Sequence, residues 1–269
     1  MRNIINKYVS DEELIETARE IFRHNWLSIK LYFMIGHPLE NLDDVYAISK
    51  LAKKVLNEGW NVHRKKASVN VGVSTFIPKP HTPFQWEAMD ALENVKAKQA
   101  LLMKEVRGHG LHLRWTDPVE SVFEGFLARG DRRVAEVVAR AWRMGAKFDA
   151  WQEHFDFGLW QAAFEAEGLD MAFYNYRQRP IDELFPWEHI DIAVTRKFLT
   201  QDYLMSQAQE TRIDCRHQCF ACGILPKLKD MRRDTADSAW ECPPVPQRPH
   251  HVPYAKRTAD VSIALPMVA

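Results

Sequence analysis

The sequence predicts a parallel α/β region followed by a mainly helical one. Two apolar, β-rich runs at 27–36 and 68–77 are separated by an amphipathic helical pattern at 41–57. Strands joined through a helix of that length run parallel, because the crossover returns the chain to the starting end of the sheet. Beyond residue 117 the texture changes, and eleven aromatic side chains crowd residues 148–190. Aromatics at that density pack the core of a small helical domain.

The elements follow in order. Ser10 and Glu13 form a capping box ahead of Leu14, Ile15, Ala18, Ile21 and Phe22, which recur at helical spacing. The run "LSIKLYFMIG" (27–36) is apolar along most of its length, the texture of a parallel strand covered on both faces. Asn41 caps the helix "NLDDVYAISKLAKKVLN" (41–57), with two acids in its first turn that suit the helix dipole. The second strand, "SVNVGVSTFI" (68–77), is β-branched and alternating, and the turn "PKPHTP" (78–83) follows it. A helix is expected over about 90–107, a short strand in "LHLRWTD" (111–117), and helices starting near Pro118 and Asp131. A last helix over about 192–209 leads into a cysteine-rich loop. The expected division is 1–116 for the α/β part, 117–226 for the helical part, and 227–269 for a flexible Pro-rich tail containing "PPVPQRPHHVPY". Because the chain enters through a helix and offers few strands, the α/β part reads as the tail end of a larger domain.

Composition narrows the function classes. Hydrophobic residues make up 46% and charged residues 27% of the 269 residues, enough apolar material for a real core. Lys+Arg and Asp+Glu balance at 36 each, so no net field argues for a nucleic-acid or membrane partner. No apolar run reaches the roughly 18 residues that a membrane-spanning helix needs. The start, "MRNIINKYVSDEE", carries no signal-peptide core, so the expectation is a cytoplasmic protein. In that compartment clustered cysteines read as metal or redox chemistry rather than as disulfides.

Three of the four cysteines lie in "DCRHQCFACGI" (214–224), at the spacing Cys-x₃-Cys-x₂-Cys. Cys215, Cys219 and Cys222 can each bind a different iron of one [4Fe-4S] cubane and leave the fourth iron open. They can equally bind zinc, with His217 or Cys242 as the fourth ligand of a closed tetrahedral site. As a string, 215–222 matches the cluster motif that holds S-adenosylmethionine in radical SAM enzymes. Its position argues otherwise, since that loop follows the first strand of a barrel and here it follows all of the α/β pattern.

Two cysteine-free stretches sit where parallel α/β folds place their ligands, at the carboxyl ends of strands. In "KLYFMIGHPLENLDDV" (30–45) a buried strand ends at Gly36, turns through His37 and Pro38, and delivers Glu40 just before a capped helix. Glu40 can bind a polar ligand group or hold the turn. In "STFIPKPHTPFQW" (74–86) a strand gives way to a rigid loop, with His81 as a catalytic or locally hydrogen-bonded histidine.

Together these stretches resemble the later strands of the radical SAM core, of the kind shared by methylthiotransferases and the tRNA-modifying Elongator-type enzymes. More closely, the chain resembles the C-terminal half of an uncharacterised cobalamin-binding-type radical SAM family. That family combines "KLYFMIG", "FIPKPHTPFQW", "GDRRVAEVV..AW..GAKFDAW..HFD" and a terminal "DCR..C..CGI", and the likeness runs over about residues 3–226. The resemblance implies the last strands of a partial (β/α)₆ barrel followed by a helical domain. It implies S-adenosylmethionine binding by Met34 or Ile35, Gly36 and Glu40 on one strand end, and by backbone near Ile77 and Pro78 on the next. Family members carry their SAM-cleaving cysteines upstream, so the [4Fe-4S] cluster of the intact enzyme belongs to a missing N-terminal half-barrel, supplied in cis or in trans. Cobalamin would bind earlier still. Cys215, Cys219 and Cys222 then become an accessory iron–sulfur or zinc centre, and the chain alone is expected to be inactive. The alternative is a zinc-knuckle binding module that contacts RNA or a protein partner.

Overall fold

In the computed structural model, which describes residues 4–5, 9–235 and 242–243, three strands form one parallel sheet. They are β1 (Ser28–Ile35), β2 (Ser68–Thr75) and β3 (Leu111–Trp115), and they lie side by side in chain order. Ser28 pairs with Ser68 and Ile35 with Thr75, while Val69 pairs with Leu111. Helix α1 (Asp11–Arg23) carries the expected capping box. Helix α2 (Leu42–His63) is capped by Asn41 and joins β1 to β2, and α3 (Leu92–Glu105) precedes β3.

All three helices cover the same face of the sheet. Phe22 of α1, Val45, Val55 and Leu56 of α2, and Val95 and Leu102 of α3 share one core with Ile35, Val69, Val71 and Val73. Full burial of such a side chain contributes about 1.5–3 kcal/mol each, which fixes the strand register through its period of two. Helix α2 outruns its expected end at residue 57 because Gly59 lets it pass close to Phe22 and Ala67.

The opposite face departs from the expectation of a sheet covered on both sides. Ser28, Lys30, Tyr32 and Met34 of β1 line it with Asn70, Gly72 and Ser74 of β2 and His112 and Arg114 of β3. Among the described residues nothing buries them: Tyr32 is 75% exposed and Met34 44%. The reason is in the strand itself, where Ser28 and Lys30 put polar heads that need water on this face. Asn70 donates to Ser28 Oγ (2.8 Å), and the Lys30 ammonium lies 4.6 Å from the Tyr32 ring centre.

The helical part has two aromatic cores. Helices α4 (Pro118–Arg129), α5 (Val134–Met144), α6 (Phe157–Ala166) and α7 (Met171–Asn175) gather around Phe126, Val137, Trp160, Phe164 and Tyr174. Phe123 and Phe126 meet Trp160 and Phe164 at ring distances of 4.7–5.8 Å, mostly edge to face. The second core joins Trp86 to Phe185, Trp187, and Leu199 and Tyr203 of α8 (Arg196–Gln207). The expectation that the aromatics pack a core holds for most, though Phe148, Trp151 and Phe173 stand exposed. After the short helix α9 (Ile224–Lys227), a further one, α10 (Lys229–Asp234), lies past residue 227, the expected start of the tail. The rest of that tail, apart from 242–243, lies outside the described residues. No helix among the described residues is long and apolar enough to cross a membrane.

Replacing Gly59 tests this packing. A Cβ there would stand 2.7 Å from both Phe22 Cζ and Ala67 Cβ. The clash outweighs the roughly 1 kcal/mol that alanine gains over glycine in a helix. Gly59→Ala is expected to lower stability by about 1–2 kcal/mol in urea denaturation.

Candidate functional site

The carboxyl end of β1 is built around a turn that carries backbone strain. Gly36 leaves the strand at φ +84°, and its amide donates to Glu40 Oε1 at 2.7 Å. His37 O accepts from Glu40 N at 3.1 Å, closing a turn with Pro38 and Leu39 at its centre. Leu39 sits at φ +64°, a left-handed position where a branched side chain costs about 1 kcal/mol. Its side chain is exposed, so burial does not offset that cost. Strain of this kind, held by surrounding structure, marks sites where geometry matters more than stability.

What holds it is a buried ion triad. Lys98 Nζ of α3 donates to Glu40 Oε1 (2.6 Å) and to Asp90 Oδ2 (2.7 Å). The Glu40 side chain is only 2% exposed. Burial lowers the Lys98 pKa, but the hydrogen bonds and charges of Asp90 and Glu40 more than offset it, so the ammonium stands above its ordinary value. These groups border a cavity of about 600 Å³ with Gly36, His37, Asn41 and Asn94 in its lining. His37 is buried against Phe76, 4.6 Å between ring centres, and its Nδ1 has no partner. Burial above all, with smaller contributions from nearby positive charge that include Lys98, pushes the His37 imidazole down to about 4.

The end of β2 lies alongside. Phe76 N donates to Ile35 O at 2.8 Å, so residues 76–78 leave the sheet beside the β1 turn. Of the residues expected at a ligand, Ile35 is fully buried under the helices, Ile77 is half-buried and Pro78 is buried. Met34, by contrast, points to the open face. His81 sits at φ +57° with its amide on Gln85 Oε1, which also accepts from Trp187 Nε1 at 2.9 Å. His81 therefore shapes the loop that carries Trp86 into the helical part, where Arg179 N donates to Trp86 O and Met89 N to Asn175 O.

The cysteines form a separate locality far along the chain. The Ala221 amide donates to Cys219 Sγ at 3.5 Å, with Ala221 at φ +52° and Gly223 at φ +115°. Cys222 O accepts from Thr195 N (2.8 Å), and a Cβ on Gly223 would strike Thr195 Cγ2 at 2.8 Å, so the loop is clamped against the start of α8. Desolvation first, and the neighbouring Cys219 and Cys222 after it, hold the Cys242 thiol above its ordinary pKa. Cys215 and His217 are exposed. Among the described residues no three histidine, cysteine or acidic side chains are already gathered at metal-ligand spacing.

No family model matches the chain, and no solved structure matches it. A stretch of 136 residues, 51% of the chain, is 29% identical to an uncharacterized protein of the archaeon Methanocaldococcus jannaschii. The match covers 29% of that relative, so the chain spans less than a third of its length.

Sequence reading placed Glu40 but missed its partners. Lys98 carries a signal, since it falls on the buried face of α3 with Val95, Gln99 and Leu102, at spacings where an apolar residue is expected. Asp90 carries none, because its role follows from the approach of the β2–α3 loop to Gly36.

Two expectations follow. Lys98→Met leaves two carboxylates with no counter-ion and is expected to destabilise by about 3–5 kcal/mol in urea titration; a loss under about 1 kcal/mol would class the triad with surface pairs. His37 has an ordinary value of 6.5 and a folded value of about 4. The unfolded chain therefore takes up a proton that the fold refuses, and stability falls as pH drops through that window. The full loss is about 3 kcal/mol, at roughly 1.4 kcal/mol per unit, and His37→Gln is expected to flatten the slope of denaturation midpoint against pH.

Proposed function

We propose that the α/β part is the C-terminal portion of a radical SAM core, whose open sheet face lines a lumen completed by upstream strands. One observation carries the reading: parallel strands in chain order, helices on one face only among the described residues, and a polar opposite face. An open doubly wound sheet puts helices on both faces, whereas an arc of a barrel puts them all outside. Small and polar side chains such as Asn70, Gly72 and Ser74 then face the interior, where a substrate enters. The β1 edge is where the preceding strand would add.

The residues at the strand ends fit S-adenosylmethionine in part. Met34 offers an exposed thioether to a flat adenine, while Gly36 and the backbone at Ile77 and Pro78 supply close-approach surface beside it. Glu40 holds the turn through Gly36 and Lys98 and leaves Ile35 in the core. The resemblance implies that the intact enzyme cleaves S-adenosylmethionine reductively to a 5′-deoxyadenosyl radical. The sheet carries no thiolate to hold the cluster that supplies the electron, since every cysteine lies at residue 215 or beyond. This chain's part is to bind the nucleoside end, orient it toward the lumen and exclude water.

Equilibrium dialysis with S-adenosylmethionine tests this. The chain alone is expected to retain none. With the upstream half-barrel supplied, fused in cis or co-expressed in trans, the protein should retain it, and Met34→Glu should weaken retention by about tenfold or more without changing the melting temperature. No retention with the upstream half-barrel present, or retention indifferent to Met34→Glu, would overturn the reading.

A further inference from the structure

The open face of the sheet carries charge of one sign. Of the nine residues that the three strands turn to it, Lys30, His112 and Arg114 are basic and none is acidic. The chain as a whole is balanced at 36 basic and 36 acidic residues, so the surplus is local. On the helical side cations meet acids: Arg19 holds Glu58, Lys53 faces Glu105, and Lys98 joins Glu40 and Asp90. Lys30 lies over the Tyr32 ring instead, 4.6 Å from its centre. Arg114 is exposed and has no ion-pair partner among the described residues. Like charges gathered without counter-ions repel one another, and an anion relieves that cost.

The register turns this surplus into a site. Tyr32, Gly72 and Arg114 share one row across the sheet, and Lys30, Asn70 and His112 share the next. Strand spacing and rise put the Lys30 and Arg114 Cα atoms about 12 Å apart, a span their long side chains close around one group. The Tyr32 ring leans over Gly72, 3.5 Å from where a Cβ would stand, and so draws the Lys30 ammonium in from the edge. The geometry points to a phosphate site on the open face, where Lys30 and Arg114 hold the phosphate monoester of a small molecule and Tyr32 Oη and His112 flank it. A phosphate monoester carries up to two negative charges near neutral pH and matches two permanent cations, whereas a carboxylate carries one. The guanidinium fork takes two of its oxygens and the ammonium a third. A nucleic-acid strand would track a longer basic stripe, and here the surplus stops at three side chains. Calling the small molecule the substrate rests on the barrel reading; the site itself does not. Met34 lies one row above Tyr32, about 7 Å nearer the strand ends, so the phosphate is a handle held below the place of the nucleoside.

The full chain by itself serves for the test, since the face is open in it. NMR follows the His112 ring signal, identified by its loss in His112→Gln, during titration with phenyl phosphate at low ionic strength. A saturable shift is expected, with none from phenol and about tenfold weaker binding of benzoate. Arg114→Met and Lys30→Met should each weaken phenyl phosphate by about tenfold, and Arg114→Lys, which keeps the charge and loses the fork, by less. Both side chains are exposed, so the melting temperature should not move. Lys50→Met is the control, because Lys50 lies over the Tyr46 ring of α2 at the same 4.6 Å and should contribute nothing. No saturable shift, or an equal loss in Lys50→Met, overturns the site. Benzoate binding as tightly as phenyl phosphate overturns the choice of phosphate, and a short single-stranded oligonucleotide binding far more tightly overturns the small molecule. S-adenosylmethionine retained by the completed barrel without phosphate binding overturns this inference alone. Phosphate binding without that retention upholds the site and overturns only the barrel reading.

Discussion

A parallel sheet sets the terms for everything else in this chain. Parallel neighbours cannot be joined by a tight turn, so each strand must be followed by a crossover that packs on one face. Here the strands are used in chain order, and α1, α2 and α3 fall on a single side. Apolar alternation follows: Val69, Val71 and Val73 look toward the helices, and Asn70, Gly72 and Ser74 look away. The Tyr32 ring lies across the space a side chain at Gly72 would fill, 3.5 Å from that position, and so shields part of a face that no helix among the described residues covers. A sheet built this way has its hydrophobic driving force on one side and its chemistry on the other.

The strand ends then need rigid support, because parallel strands bring their carboxyl termini to one edge. Left-handed residues gather there, with Gly36, Leu39 and His81 all at positive φ. Glu40 answers the amide of Gly36, and Lys98 answers Glu40 and Asp90, so the β1 turn and both flanking helices share one ionic anchor. The loop after β2 carries the same rigidity outward. Gln85 bridges His81 to Trp187, and Trp86 is sealed under Phe185 and Tyr203. Arg179 and Arg129 complete the path: Arg179 donates to the Arg129 carbonyl, and Arg129 to that of Tyr174. Their burial costs desolvation, visible in an Arg129 pKa pushed down to about 10. The helical part is thereby positioned by the same loop that shapes the strand ends.

Much of this was legible in residue patterns. Capping boxes at Ser10 and Asn41, the alternation of β2 and the proline at 118 each located an element, because they report local hydrogen bonding and backbone preference. The one-sided sheet was not legible from β1, where Leu31, Phe33 and Ile35 with Tyr32 and Met34 read as continuously apolar. An aromatic and a thioether satisfy a hydrophobicity pattern whether they face a core or a lumen. The anchor at Lys98 was hidden for a related reason, since a lysine on a helix is ordinarily a solvated charge and only its placement among buried neighbours says otherwise. Glu40 was visible as a strand-end acid, but its choice between ligand and turn depended on where α3 would bring Lys98.

The cysteine loop shows where spacing stops being informative. Cys-x₃-Cys-x₂-Cys fits a cubane and a mononuclear ion alike, because short loops let thiolates adopt either separation. The difference lies in the fourth ligand and in sulfur–sulfur distance, neither of which the string encodes. Cys242 stands outside the string, and Cys215, at its start, is exposed while Cys219 is buried. A ligand drawn from so far along the chain would close a longer loop than the string itself does, and closing a longer loop constrains more of the unfolded ensemble.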